Sequence, residues 1–203
     1  MWEFRASYVE PDRSDREHKL ATGSYLFSFD TTGGTVTITT SKYTTPYAKA
    51  GQTAPDFKNA VNVADGEVKG TEIVIPVLKF SIRKRQPLAT ISVGYVKTLA
   101  SLTGSVNAGV FQGFAAGELL FMGASDQQGT DTDPEVTYNF AASENALGLS
   151  IGDVAGIAKK GHEYLWVVFE PVDDATAKTT VRRPKAVYVE RVYKEADWTP
   201  LAI

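Results

Sequence analysis

The sequence predicts a mainly β domain, a β-sandwich or β-barrel with long loops and one short helix. Apolar and polar residues alternate in several short runs, the period of a half-buried strand. Gly, Pro, Asn and Asp punctuate those runs, and only the segment after Ser92 has helical spacing. At 203 residues and 22.0 kDa, with 43% hydrophobic and 22% charged residues, the chain is close to globular averages. That length supports one buried core, so a single β-rich domain over 1–203 is expected.

Trp2, Phe4, Ala6 and Tyr8 alternate with Glu3, Arg5 and Ser7, which predicts a strand: an early edge strand, or one continuing a longer chain upstream. The charged segment 10–19 follows as a solvated connection. Tyr25, Phe27 and Phe29 share a face, and Val36 and Ile38 return after Asp30-Thr31-Thr32-Gly33-Gly34, which predicts a β-hairpin. Residues 41–60 carry Pro46, Gly51 and Pro55 with few aliphatics, so they read as an arm-like loop reaching a neighbour. In 71–83 the apolar set shifts from Ile73, Ile75 and Val77 to Leu78, Phe80 and Ile82, predicting a strand that bends or bulges at Pro76.

Ser92 can cap a helix with Val93, Val96, Leu99 and Ala100 on its buried side, closed by Gly104. Residues 118–122 and 135–141 predict a strand pair, 165–169 a third apolar run, and 181–193 a strand covered on both faces. Trp198 and Leu201 anchor a short tail.

Charge and composition narrow the chemistry. A net charge of -3 leaves no surplus of cations to grip a phosphate backbone, so DNA would pass without specific recognition. There is no cysteine, which fits assembly in a reducing cytoplasm and removes thiolate catalysis and cysteine zinc sites. No signal peptide or run of eighteen apolar residues is seen, so no membrane partner is expected.

The two histidines, His18 and His162, lie far apart in sequence and read as solvated surface residues rather than a catalytic or metal pair. Asp126, Asp131, Asp133 and Glu135 offer calcium oxygens within ten residues, but without the Asp-x-Asp-x-Asp-Gly spacing, and a polar hairpin loop suits them better. Arg83-Lys84-Arg85 and Arg182-Arg183, with Lys178 and Lys185, read as an ion-pairing surface between subunits. Gly113, Gly117 and Gly123 form no phosphate cradle, and no Gly-x-Ser-x-Gly elbow occurs. No catalytic residue, resident metal or cofactor is expected, and the protein is expected not to be an enzyme.

Leu-Thr-Gly-Ser-Val-Asn at 102–107, Gly-Phe-Ala-Ala-Gly-Glu-Leu-Leu-Phe-Met-Gly-Ala-Ser at 113–125 and Tyr-Asn-Phe-Ala-Ala-Ser-Glu-Asn at 138–145 resemble uncharacterised structural proteins of tailed phages and prophages. The continuation Gly-Leu-Ser-Ile-Gly-Asp-Val-Ala-Gly-Ile-Ala-Lys-Lys-Gly-His-Glu-Tyr-Leu-Trp-Val is similar to the same group. The overall plan looks like that of phage tail-tube and tube-like hub proteins. This resemblance, covering about the C-terminal half, implies a virion subunit that contacts other virion proteins. It also implies assembly into a homo-oligomeric ring, expected to be a hexamer, around a DNA channel. A neck or tail-completion protein is the alternative in the same particle. A β-sandwich module for glycan or receptor, using Tyr43, Tyr47 or Trp198 along a groove, is the alternative of another class.

Overall fold

A computed structural model describes residues 20, 23–127 and 133–203. The proposed strand at 2–8, the charged connection at 10–19, His18 and Asp131 lie outside the described residues. The architecture is mainly β, with several sheets and one α-helix.

Two long runs make an antiparallel ribbon. Strand β1 (Tyr25–Asp30) pairs with β6 (Leu78–Arg85), and β2 (Gly34–Ile38) pairs with β5 (Thr71–Ile75). Tyr25 faces Lys84, Asp30 faces Lys79, Gly34 faces Ile75 and Ile38 faces Thr71, so the register is unchanged across the break. The strand expected over 71–83 is interrupted at Pro76 and Val77, and the continuous register shows no bulge there. The expected hairpin between β1 and β2 is absent: both strands form, but they run on in the same direction. A tight hairpin turn needs left-handed residues, and none of residues 31–34 has positive φ. Instead, Asp30 Oδ1 accepts from Thr32 N at 2.8 Å, and Gly33 lets the partner run approach. A Cβ on Gly33 would lie 2.6 Å from Val74 Cγ1.

The ribbon ends in a small hairpin, β3 (Val63–Ala64) and β4 (Glu67–Val68), turned by Asp65 at φ 53° and Gly66 at φ 75°. Both values suit a type I′ turn. Segment 41–60 leaves and rejoins the ribbon at the Thr40–Ala60 bridge, with Tyr43 and Tyr47 exposed.

Further along, β6 pairs with β9 (Glu135–Ala142), β9 with β8 (Leu119–Gln127), β8 with β7 (Ser105–Asn107), and β7 in parallel with β14 (Lys194–Ala196). The resulting six-stranded sheet, ordered β1-β6-β9-β8-β7-β14, has one apolar and one polar face. Phe80, Ile82, Leu119, Phe121, Val136, Tyr138 and Phe140 are buried on the apolar face, and alternate β6 and β9 residues such as Ser81 and Asn139 face the other way.

Helix α1 (Val93–Leu102) crosses the apolar face. Ser92 caps it, its Oγ accepting from Tyr95 N at 3.1 Å. The buried side differs from the expected one: Val93 and Val96 are exposed, while Leu99 and Leu102 meet the core. Tyr95 takes the place of Val96 because its hydroxyl is used. Gln86 Nε2 donates to Tyr138 Oη at 3.0 Å, the two tyrosine hydroxyls meet at 2.6 Å, and Tyr95 Oη donates to Leu201 O at 3.0 Å. Burial raises the pKa of both phenols, so they stay neutral and hold sheet, helix and C-terminus together.

Two further hairpins complete the fold. Strands β10 (Ala146–Ile151) and β11 (Val154–Lys159) turn at Gly152 and Asp153. Strands β12 (Tyr164–Asp174) and β13 (Thr179–Glu190) form a long pair with a bulge between Val168 and Phe169. The expectation that 181–193 is covered on both faces does not hold, since Tyr188, Val192 and Tyr193 are exposed. A two-stranded sheet has no second layer to cover its outer side.

Candidate functional site

The densest polar organisation lies where the central sheet meets the outer hairpins. Asn107, buried at the end of β7, donates from Nδ2 to Gly109 O at 2.7 Å and Ala115 O at 2.8 Å, and its Oδ1 accepts from Leu119 N at 2.9 Å. Its amide is thereby satisfied, and the 108–118 loop is closed onto the sheet. Glu118 Oε2 accepts from Ala115 N at 2.8 Å, and Oε1 from Asn145 N at 3.1 Å. Asn145 Oδ1 then accepts from Gly161 N at 2.8 Å.

His162 completes the junction. Its Nε2 lies 3.1 Å from both Glu118 O and Ala141 O. Carbonyls only accept, so Nε2 carries the proton and is shared between them. The histidine expected on the solvated surface is instead part-buried, and burial lowers its pKa below the usual value. Around it sit Lys159, whose pKa burial also lowers, and a charge cluster of Glu163, Arg191, Glu195 and Lys160, with Lys160 Nζ 2.6 Å from Glu195 Oε1. The space left there is only about 10 Å³, enough for one water at most. This junction is a clamp between modules, not a substrate cleft.

A pH response follows. A histidine with a lowered folded pKa binds its proton more readily when unfolded, so stability is full above the unfolded value near 6.5 and falls as pH drops through the folded value. The melting temperature is expected to decrease from pH 7 to 5.5, and His162→Gln is expected to flatten that slope. The carboxylates held low by hydrogen bonds, such as Asp174 through Asp56 N and Glu195 through Lys160, respond only at more acid pH. Melting curves across this range, recorded for both proteins, check it.

Among the described residues of the acidic set, Asp126 and Glu135 do not converge. Asp126 is opposite Val136, the neighbour of Glu135, so Asp126 and Glu135 project to opposite faces of the sheet. Asp133 Oδ1 accepts from Leu88 N at 3.0 Å, and Glu135 Oε1 from Leu20 N at 3.4 Å. Among the described residues no group of three or more His, Asp or Glu is placed to hold a metal ion.

The basic clusters are engaged within their own chain, where an inter-subunit role was expected. Arg183 Nη2 meets Asp174 Oδ2 at 3.1 Å and its Nε donates to Asp56 O at 2.8 Å, which fastens the base of the 41–60 segment to the β12–β13 pair. Arg182 Nε donates to Gly66 O at 2.6 Å, and Lys84 Nζ to Ala202 O at 2.5 Å. Arg83 and Lys79 remain exposed.

The fold also leaves apolar groups uncovered. All of β1 is exposed, and Val36, Ile73 and Val74 continue that exposure along the ribbon. Tyr164, Trp166 and Tyr188 form an aromatic strip on the long hairpin, with the Trp166 and Tyr188 rings stacked at 4.5 Å. An open groove of about 440 Å³ runs between α1 and β8, lined by Ile91, Val96, Leu99 and Met122 with Asp126 at its margin. Trp198 is buried, so it lines no sugar groove. Among the described residues no helix is long and apolar enough to cross a membrane. No protein-family model, curated protein or solved structure matches the chain.

Proposed function

We propose that the protein is a structural subunit of a tailed-phage virion, a tail-tube or tube-like tail component that closes into homo-oligomeric rings around a DNA channel. One observation carries this: among the described residues, twenty large hydrophobic side chains are exposed and thirteen hydrophobic residues form the buried core. Scattered apolar residues are normal on a monomer, but ten of these twenty are grouped on β1, the β2–β5 ribbon and one face of the β12–β13 hairpin, where a neighbour would cover them. Ring closure would use up the hairpin face and the β2–β5 ribbon, and stop association at a fixed number. The polar face of the central sheet, with Ser28, Ser81, Thr137 and Asn139, Lys79 beside Asp30 and Arg83 beside Leu26, suits the channel side. Its mixed charge would let DNA slide past without a strong phosphate grip.

Exposed Tyr43 and Tyr47 favour a second reading, a module that stacks aromatic rings on a glycan. Light scattering separates the two. The ring subunit is expected at a fixed multiple of 22.0 kDa. A monomer retained on immobilised glycan, and released by Tyr43→Ala with Tyr47→Ala, would favour the glycan module instead.

A further inference from the structure

We infer that the outer edge of β1 joins a second copy of this chain, strand to strand, across a two-fold axis. Ring closure joins unlike surfaces, whereas this contact joins like ones, so it lies beyond the ring itself. Within the described residues β1 ends the six-stranded sheet, with β6 on one side only. All six of its residues are exposed. It has few of the features that blunt an edge: no proline, no lysine and no register shift against β6, and its one charge, Asp30, is at its end.

The apolar face shows what would cover it. A row of rings crosses the sheet from Phe121 to Phe140 at 5.4 Å, to Phe80 at 4.9 Å, and to Phe27 at 5.2 Å. There it stops, with Phe27 51% exposed between Tyr25 at 67% and Phe29 at 70%. The strand is complementary to itself. Antiparallel pairing that sets Phe27 against Phe27 of the second copy also sets Tyr25 against Phe29, and Leu26 against Ser28. The aromatic row then continues through the axis on one face while Ser28 stays on the other. A slip of one residue would set Phe27 against Ser28 and mix the faces, so the pattern selects the register. At roughly 200 Å² for a whole aromatic side chain, the bare parts of these three residues come to about 750 Å² over two copies. With Leu26 and the strand backbone added, full coverage would approach the roughly 1,000 Å² of a specific interface.

The chain has no cysteine, so Phe27→Cys carries a single thiol. With copper-phenanthroline as oxidant, two such thiols, one from each copy, lose two electrons and two protons to form one disulfide. Covalent dimer is expected at least about tenfold faster than from Val110→Cys, an exposed position elsewhere, because paired thiols act at a high effective concentration. Phe29→Lys, at a largely exposed position, is expected to halve the mass of the unmodified protein's assembly at equal concentration, with its melting temperature retained. Equal cross-linking at positions 27 and 110, or an unchanged mass for Phe29→Lys, would overturn the contact. So would a monomer whose β1 amides resist hydrogen exchange, which would assign the edge to residues 1–19 of its own chain. Rings that persist while position 27 fails to cross-link would leave the ring reading standing and remove only this contact.

Discussion

Gly161→Ala is expected to lower stability by about 3 kcal/mol or more, a loss of roughly 10 °C in melting temperature for a chain of this size. The conflict is one of space. An added Cβ would lie 1.7 Å from Ser143 O and 2.6 Å from Ser143 C, and both are backbone atoms that no rotamer change can move. Neither segment is free to withdraw. Gly161 N is tied to Asn145 Oδ1 at 2.8 Å, and Ser143 N donates to Glu118 O at 2.9 Å. The substitution therefore pries the β11–β12 turn from the central sheet and takes the His162 contacts with it. Gly109→Ala, where an added Cβ meets nothing within 4 Å, is the control and should stay within about 0.5 kcal/mol. Thermal melts of the two variants beside the parent check the contrast.

Trp198→Ala is expected to cost about 3–5 kcal/mol, the range for emptying a large aromatic site in a core. Although only five residues from the C-terminus, Trp198 is 3% exposed and lies 5.2 Å from the Phe111 ring, 5.6 Å from Phe140 and 6.0 Å from Phe121. Its Nε1 donates to Ser105 Oγ at 3.0 Å, and that hydroxyl donates to Leu102 O at 2.6 Å. Trp198→Phe keeps most of the ring contacts but loses the indole donor, so a cost of about 1 kcal/mol is expected. Chemical denaturation of both variants measures the two contributions separately. A small loss for Trp198→Ala would mean that the tail only rests on the core.

Within the described residues, the strands announced by alternation in the sequence are present. The β8–β9 pair, the runs in β12 and β13, the break at Pro76 and the Ser92 cap were all legible, because each depends on near neighbours in the chain. Pairing was less so. Tyr25–Phe29 and Val36–Ile38 look like two arms of a hairpin, yet each pairs with the distant run around Pro76, since strand partners are chosen by tertiary contacts that a turn motif does not encode. Hairpin β10–β11 went unforeseen, although Ile-Gly-Asp-Val at 151–154 carries a two-residue turn signal. Helix α1 buries Tyr95 in place of Val96 because a hydrogen-bond partner waits for its hydroxyl, which hydrophobic spacing alone does not register. The clamp of Asn107, Glu118, Asn145 and His162 was equally hidden, being four polar residues dispersed over 56 positions of sequence that meet only after the sheet has formed.

Negative-stain electron microscopy of the purified protein tests the central claim most directly. Closed annuli with a central channel, built from a fixed number of copies and free to stack, are the predicted result. A uniform field of single 22.0 kDa particles at every concentration, with the exposed strip of Tyr164, Trp166 and Tyr188 still open to solvent, would contradict it.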